Sequence, residues 1–86
     1  MERQYGVVKE IYIPNEYNEN NNLLDVMDRH NIGFKIDIDG KLESYEFEQD
    51  EFNSLILKND SVMIIKQTID GINFVDIEKV DSDLDE

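Results

Sequence analysis

The sequence predicts a mainly β protein, a small antiparallel barrel of five strands with one short helix and one further helical turn. Its 86 residues are the size of a single domain. The apolar residues are rich in Ile, Val, Phe and Tyr, which favour strands. Two Asp-Gly pairs, at 39–40 and 70–71, each separate two strand-like stretches, as in β-hairpins. We therefore expect one barrel domain over residues 1–80 and an acidic disordered tail over residues 81–86.

The first strand is predicted over residues 4–14, "QYGVVKEIYIP", which mixes β-branched and aromatic residues. Pro14 ends it, because proline has no N–H for the sheet. The apolar positions change phase between Val8 and Ile11, and a bulge near Lys9 explains the change. A polar loop rich in asparagine follows over residues 15–22.

Residues 23–30, "LLDVMDRH", favour a short helix. Asn22 is a suitable N-cap and Asp25 lies in the first turn, while Arg29 and His30 lie in the last turn, where positive charge suits the helix dipole. The apolar residues fall on one side: Leu23, Leu24 and Met27. A strand over residues 23–27 is the alternative.

Residues 32–48 predict a hairpin with its turn at Asp39-Gly40. Apolar and polar residues alternate strictly in the first strand, and the second strand continues the alternation. Two registers fit. A three-residue loop would place Asp37 opposite Lys41, and a longer loop would place Ile36 opposite Tyr45.

The same stretch, "KIDIDGKLESYE" at residues 35–46, resembles the calcium loop of an EF-hand. Asp37, Asp39, Gly40 and Glu46 occupy positions 3, 5, 6 and 12 of that loop. Lys35 puts a cation where the first ligand belongs, and both flanks have the period of strands rather than helices. We therefore interpret the stretch as an acidic hairpin without a metal.

The second half of the chain predicts a helical turn and two strands. Residues 50–60 favour one helical turn and a bend, with Phe52, Leu55 and Leu57 pointing inward. Residues 61–69, "SVMIIKQTI", form the most apolar strand, which we expect to be central and covered on both faces. The last strand is predicted over residues 72–80.

Two stretches resemble small barrels of the SH3-like or OB-like families. Gly6, Val8 and Ile11 are spaced as in the Gly-x-Val-x-x-Ile strand that opens SH3-like barrels. "FEQDEFNSLILKNDSVMII", at residues 47–65, is similar to the acidic turn, bend and strand of such barrels, with Asn59-Asp60 where Gly-Asp is usual. The long loop over residues 15–31 departs from the SH3-like pattern, so the choice between the two families stays open.

The residue types argue against catalysis. The chain has no cysteine and a single histidine, His30, and its four glycines form no phosphate-binding loop. No serine stands in a nucleophile-elbow context. We expect no enzyme activity, no cofactor and no metal, and a small hydrolase or ligand-binding barrel is the least favoured alternative.

The charge predicts the type of partner. Asp and Glu number 21 against 8 Lys and Arg, a formal net charge of −13. Such a surface repels nucleic acid and anionic membranes and attracts basic partners. Alternate residues of a strand share a face at roughly 6.6 Å spacing. We expect an acidic array on the hairpin strands, formed by seven residues: Asp37, Asp39, Glu43, Glu46, Glu48, Asp50 and Glu51.

These observations predict a non-catalytic acidic module that docks on a basic protein surface. A nucleic-acid-binding protein is one candidate for this partner. The alternative is an inhibitor that mimics nucleic acid. The chain is similar to bacterial or phage proteins that block restriction or CRISPR nucleases in being small, acidic and poor in cysteine. An ordinary solvated face explains the charge equally well. The start of the chain lacks the layout of a signal peptide, which predicts a cytoplasmic protein. The oligomeric state stays open.

Overall fold

Five antiparallel strands form one sheet in the order β3-β2-β1-β4-β5. The computed structural model describes residues 1–80. The strands are β1 (Glu2–Tyr12), β2 (Asn31–Ile38), β3 (Lys41–Glu48), β4 (Ser61–Ile69) and β5 (Ile72–Lys79). Within residues 1–80, β3 and β5 pair on one side only, so the sheet is open rather than a closed barrel. The predicted acidic tail lies outside the described residues.

Both Asp-Gly turns are confirmed. Each is a two-residue loop in which both residues have positive φ, with values of 53° and 84° at Asp39 and Gly40 and 53° and 79° at Asp70 and Gly71. Positive φ at both positions defines the type I′ turn that matches the twist of the strands. Neither predicted register of the first hairpin is right, because the two-residue loop pairs Ile38 with Lys41.

The bulge in β1 is confirmed. The pairing with β2 shifts between Val8 and Glu10, which leaves Lys9 as the extra residue. Beside the bulge, the Val8 N–H donates to the Asp60 carbonyl at 2.9 Å, and the Asn59 N–H donates to the Val8 carbonyl at 2.8 Å. These bonds fasten the segment before β4 to the centre of the sheet.

The core lies on one side of the sheet, here called the inner face. Its fully or nearly buried residues come from four strands and one loop residue: Val8, Ile32, Phe34, Ile36, Ile38, Ile56, Val62, Ile64 and Ile77. The most apolar strand, β4, is interior but not central, because β1 occupies the centre. It is not covered on both faces either: Val62 and Ile64 are buried, whereas Met63 and Ile65 are only partly so.

The helix predicted over residues 23–30 is wrong, and so is the strand alternative. Among the described residues this loop contains only a three-residue 3₁₀ turn, Val26–Asp28, and a single bridge between Tyr17 and Leu23. Leu23 and Met27 are 53% and 94% exposed, so most of the predicted apolar side is not packed against the sheet. A helix of two turns is unstable without such packing.

The loop over residues 13–30 is held instead by polar contacts. The Glu16 carboxylate accepts the N–H groups of His30 and Asn31 at 2.7 and 2.8 Å. The Arg29 side chain donates to the Leu24 carbonyl at 3.0 Å.

No helix in residues 1–80 has the length and apolar character needed to cross a membrane.

The helical turn after β3 is confirmed as a 3₁₀ turn, Asn53–Leu55. The residues that point inward differ from the prediction. Phe52, Leu55 and Leu57 are 72%, 65% and 62% exposed, whereas Asn53 and Ile56 are buried. Asn53 faces inward because its amide bonds the backbone: Nδ2 donates to the Glu48 carbonyl at 2.9 Å.

Candidate protein-binding surface

The register places two of the seven predicted acidic residues side by side on the outer face, the side of the sheet opposite the core. In an antiparallel pair, residues directly opposite each other share a face. Glu46 and Glu48 lie opposite Gly33 and Asn31, while their neighbour Phe47 packs against the core. Both carboxylates are exposed on an edge strand. Of the seven residues of the predicted array, β3 therefore places only these two next to each other on the outer face.

Asp37 and Asp39 are not beside this row. Asp37 shares the outer face but lies opposite Leu42. It is four residues along β2 from Gly33, or roughly 13 Å at about 3.3 Å per residue. Its carboxylate accepts the Gly40 N–H at 2.9 Å and so caps the hairpin turn in which Asp39 lies.

Glu43 lies on the inner face, because it is opposite Ile36. The Tyr45 hydroxyl donates to Glu43 Oε1 at 2.6 Å. Burial, followed by this hydrogen bond to the carboxylate, raises the pKa of Tyr45 above its ordinary value. The ammonium of Lys66 lies 5.5 Å from the centre of the Tyr45 ring. Glu43 is therefore part of an inner-face cluster and does not extend the β3 row.

Asp50 and Glu51 follow the end of β3. Asp50 Oδ1 accepts the N–H groups of Phe52 and Asn53 at 2.8 and 2.7 Å. The Asp50 carboxylate therefore has a structural role, since it satisfies donors at the start of the 3₁₀ turn. Glu51 is exposed and precedes this turn.

The role of Tyr12 on this surface was not predicted. Tyr12 of β1 lies opposite Gly33 of β2, and Gly33 lies opposite Glu46 of β3. The ring crosses over Gly33, and the Tyr12 hydroxyl donates to Glu46 Oε2 at 3.0 Å. Burial, followed by this hydrogen bond, raises the pKa of the Tyr12 hydroxyl. The contact depends on the register of three strands, which is why a single-strand pattern does not reveal it.

A cation lies at the margin of this surface. The Lys35 ammonium is 6.0 Å from the centre of the Tyr12 ring and 3.8 Å from Glu10 Oε1. The Lys35 ammonium is thus shared between the Tyr12 ring and the Glu10 carboxylate.

We use the name outer acidic patch for Tyr12, Glu46 and Glu48.

Comparisons with known proteins do not identify the chain. No family model, no curated protein and no solved structure matches it. Within residues 1–80, no three His, Cys, Asp or Glu side chains are grouped closely enough to hold a metal ion.

Proposed function

We propose that the protein is a non-catalytic module that docks on a basic protein surface through the outer acidic patch. The observation that carries the proposal is the fixed position of Glu46. Its carboxylate is exposed to a partner, yet the Tyr12 hydroxyl holds it at 3.0 Å, and Glu48 projects from the same face two residues along. A group already fixed in the free protein loses less freedom on binding.

The net charge of −13 supports the same conclusion, because it steers basic partners toward the molecule over distances of about a Debye length. Like charges two residues apart also repel each other, which costs folding stability. A binding role explains why such a pair is present at an exposed position.

A nucleic-acid mimic is the narrower alternative. It requires carboxylates that follow a phosphate backbone over several positions. In β3 the outer-face row contains Glu46 and Glu48, and then Ser44 and Leu42 continue it without charge. The general docking module is therefore the better supported of the two.

The proposal also includes a partly open small-barrel fold, in which the two edge strands do not pair, and a cytoplasmic location. A flat sheet would separate its two outermost strands by roughly 19 Å, at about 4.8 Å per strand. Here Tyr45 of β3 and Val75 of β5 line one groove on the inner face together with Lys66. This curvature supports the resemblance to SH3-like or OB-like barrels.

The test compares three forms of the full chain: wild type, Glu46→Gln with Glu48→Gln, and Glu19→Gln with Asp28→Asn. The last pair removes the same charge from exposed positions outside the patch. A pull-down from the host at low salt supplies the basic partner, and calorimetry at two salt concentrations then measures its Kd.

We expect the patch variant to weaken binding on the order of tenfold at low salt and to flatten the salt dependence, since two charge pairs are lost. The control pair should retain most of the affinity. Equal weakening by both pairs would show that net charge, and not this patch, attracts the partner. Competition by duplex DNA for the same partner would favour the mimic.

A further inference from the structure

A second surface lies at the opposite edge of the sheet, along β5. Two hydrogen bonds show which backbone groups of β5 face outward. The Val80 N–H donates to the Ser61 carbonyl at 2.9 Å, which continues the pairing with β4, whereas the Ile77 N–H donates to the Asp76 side chain at 2.8 Å. Because outward and inward groups alternate along a strand, the backbone groups of four residues face the edge: Asn73, Val75, Ile77 and Lys79. Within the described residues, no strand pairs with this edge.

An apolar shelf lies beside the same edge. Phe52 and Leu55, from the turn after β3, line a groove together with the end of β5 and are 72% and 65% exposed. The neighbouring residue Ile56 is buried in the core, so this turn lies on the inner-face side of β5. If a strand were added at the β5 edge, its side chains on the inner-face side would contact the apolar residues of this groove.

The charged residues of the groove are mainly acidic. Asp76 and Glu78 lie on the outer face, opposite Ile65 and Met63, and Asp50 completes the lining. Lys79 is the one cation among the described lining residues, and its ammonium is 3.3 Å from Asp60 Oδ2. An added strand would therefore meet carboxylates on one face and the apolar shelf on the other.

We propose that the β5 edge binds an extended segment of a partner protein in which apolar and basic residues alternate. Main-chain hydrogen bonds to Val75 and its alternate neighbours supply affinity, and the two faces of the groove select the side chains. A second copy of this chain is a poor occupant, because each copy carries a net charge of −13. This surface is separate from the outer acidic patch, and the inference does not depend on the function proposed for that patch.

The test uses a synthetic peptide of alternating lysine and valine, about seven residues long, with the isotope-labelled full chain. We expect amide shifts concentrated in β5 and in residues 52–55. Companion peptides of two kinds separate the contributions. One replaces lysine by glutamate, and the other carries N-methyl groups on alternate backbone nitrogens, in both possible phases. We expect the glutamate peptide and one of the two methylated phases to bind at least about tenfold more weakly, because each lacks a required interaction.

Variants of the chain provide the matching test. Phe52→Ala with Leu55→Ala should weaken binding, whereas Leu57→Ala, which removes an equally exposed leucine outside the groove, should not. Val75→Pro should remove an outward N–H without breaking a bond to β4. The Glu46→Gln, Glu48→Gln variant should bind the peptide as the wild type does.

Three results would overturn the inference. Equal binding of both methylated phases would show that main-chain bonds are not formed. Amide shifts confined to β3 would move the site to the outer acidic patch. A dimer of the free chain that is broken by Val75→Pro would show that a second copy occupies the edge.

Discussion

Gly33→Ala should destabilise the protein because Tyr12 occupies the space that a side chain would need. A Cβ atom at Gly33 would lie 2.3, 2.4 and 2.7 Å from three atoms of the Tyr12 ring. Real Cβ atoms do not approach so closely, so the ring must move away from the sheet. The displaced ring then also loses its 3.0 Å hydrogen bond to Glu46.

The expected cost follows from three effects. Overpacking of this kind costs about 1–3 kcal/mol, and the lost hydrogen bond adds about 1 kcal/mol. Alanine restricts the unfolded chain more than glycine does, and this effect stabilises the folded protein by about 0.4–1 kcal/mol. We therefore expect the free energy of unfolding to fall by roughly 1–3.5 kcal/mol, measured by urea denaturation at neutral pH.

A double-mutant cycle with Tyr12→Ala isolates the cause. Without the ring, Gly33→Ala meets no clash and should be neutral or slightly stabilising. The coupling energy should be about 2–4 kcal/mol, because both the clash and the lost hydrogen bond need the ring. If Gly33→Ala costs the same in both backgrounds, the ring is not responsible and the reasoning about this contact is wrong.

The same substitution has a spectroscopic consequence. Burial and Glu46 raise the pKa of Tyr12 in the native protein. Moving the ring into water should lower that pKa toward the ordinary tyrosine value of about 10. NMR titration of ring-labelled tyrosine can follow this one residue, and an unchanged pKa would mean that the ring has not moved.

Four further outcomes are expected. Gly71→Val should cost about 1 kcal/mol or more in urea denaturation, because the φ of +79° is unfavourable for a β-branched residue. Asn53→Ala should cost about 1–3 kcal/mol, since the buried Asn53 amide donates to the Glu48 carbonyl and accepts the Asp50 N–H. The hydrogen bond from the Leu57 N–H, and then Lys79, lower the pKa of Asp60. The ionised Asp60 carboxylate therefore stabilises the folded protein above the pKa of Asp60 in the unfolded chain, and this stabilisation disappears as pH falls through the lower pKa of the folded state. The stability difference between wild type and Asp60→Asn should therefore shrink in acid. Millimolar calcium should raise the melting temperature no more than magnesium does, and a calcium-selective rise would contradict the hairpin.

Local signals were enough to predict the parts of the fold that short-range chemistry determines. Asp-Gly turns require positive φ, and Asp39-Gly40 and Asp70-Gly71 both have it. The change of phase around Lys9 is visible in the sequence because a bulge shifts every later side chain to the other face. The shared face of Glu46 and Glu48 follows from the same alternation.

The parts that were missed depend on partners distant in sequence. The loop before β2 keeps its shape because Glu16 accepts bonds from residues 14 and 15 positions later, which no helical periodicity reveals. Phe52 and Leu55 were expected in the core by their apolar character alone, but Asn53 takes the inward position by bonding the backbone of β3. The place of Tyr12 in the site required the register of three strands.

The two edges of the sheet differ in what opposes the addition of another strand. At the β3 edge, Glu46 and Glu48 project beside the strand, and charged side chains on an edge oppose the addition of another strand. The β5 edge instead exposes apolar side chains, including Phe74 at 47% and Val75 at 44%. An edge of this kind promotes aggregation unless something opposes self-pairing. A net charge of −13 opposes it, because a second copy is repelled before its edge can align, whereas a basic segment is attracted. The same charge that opposes self-pairing of the β5 edge therefore favours the basic segment proposed to bind there.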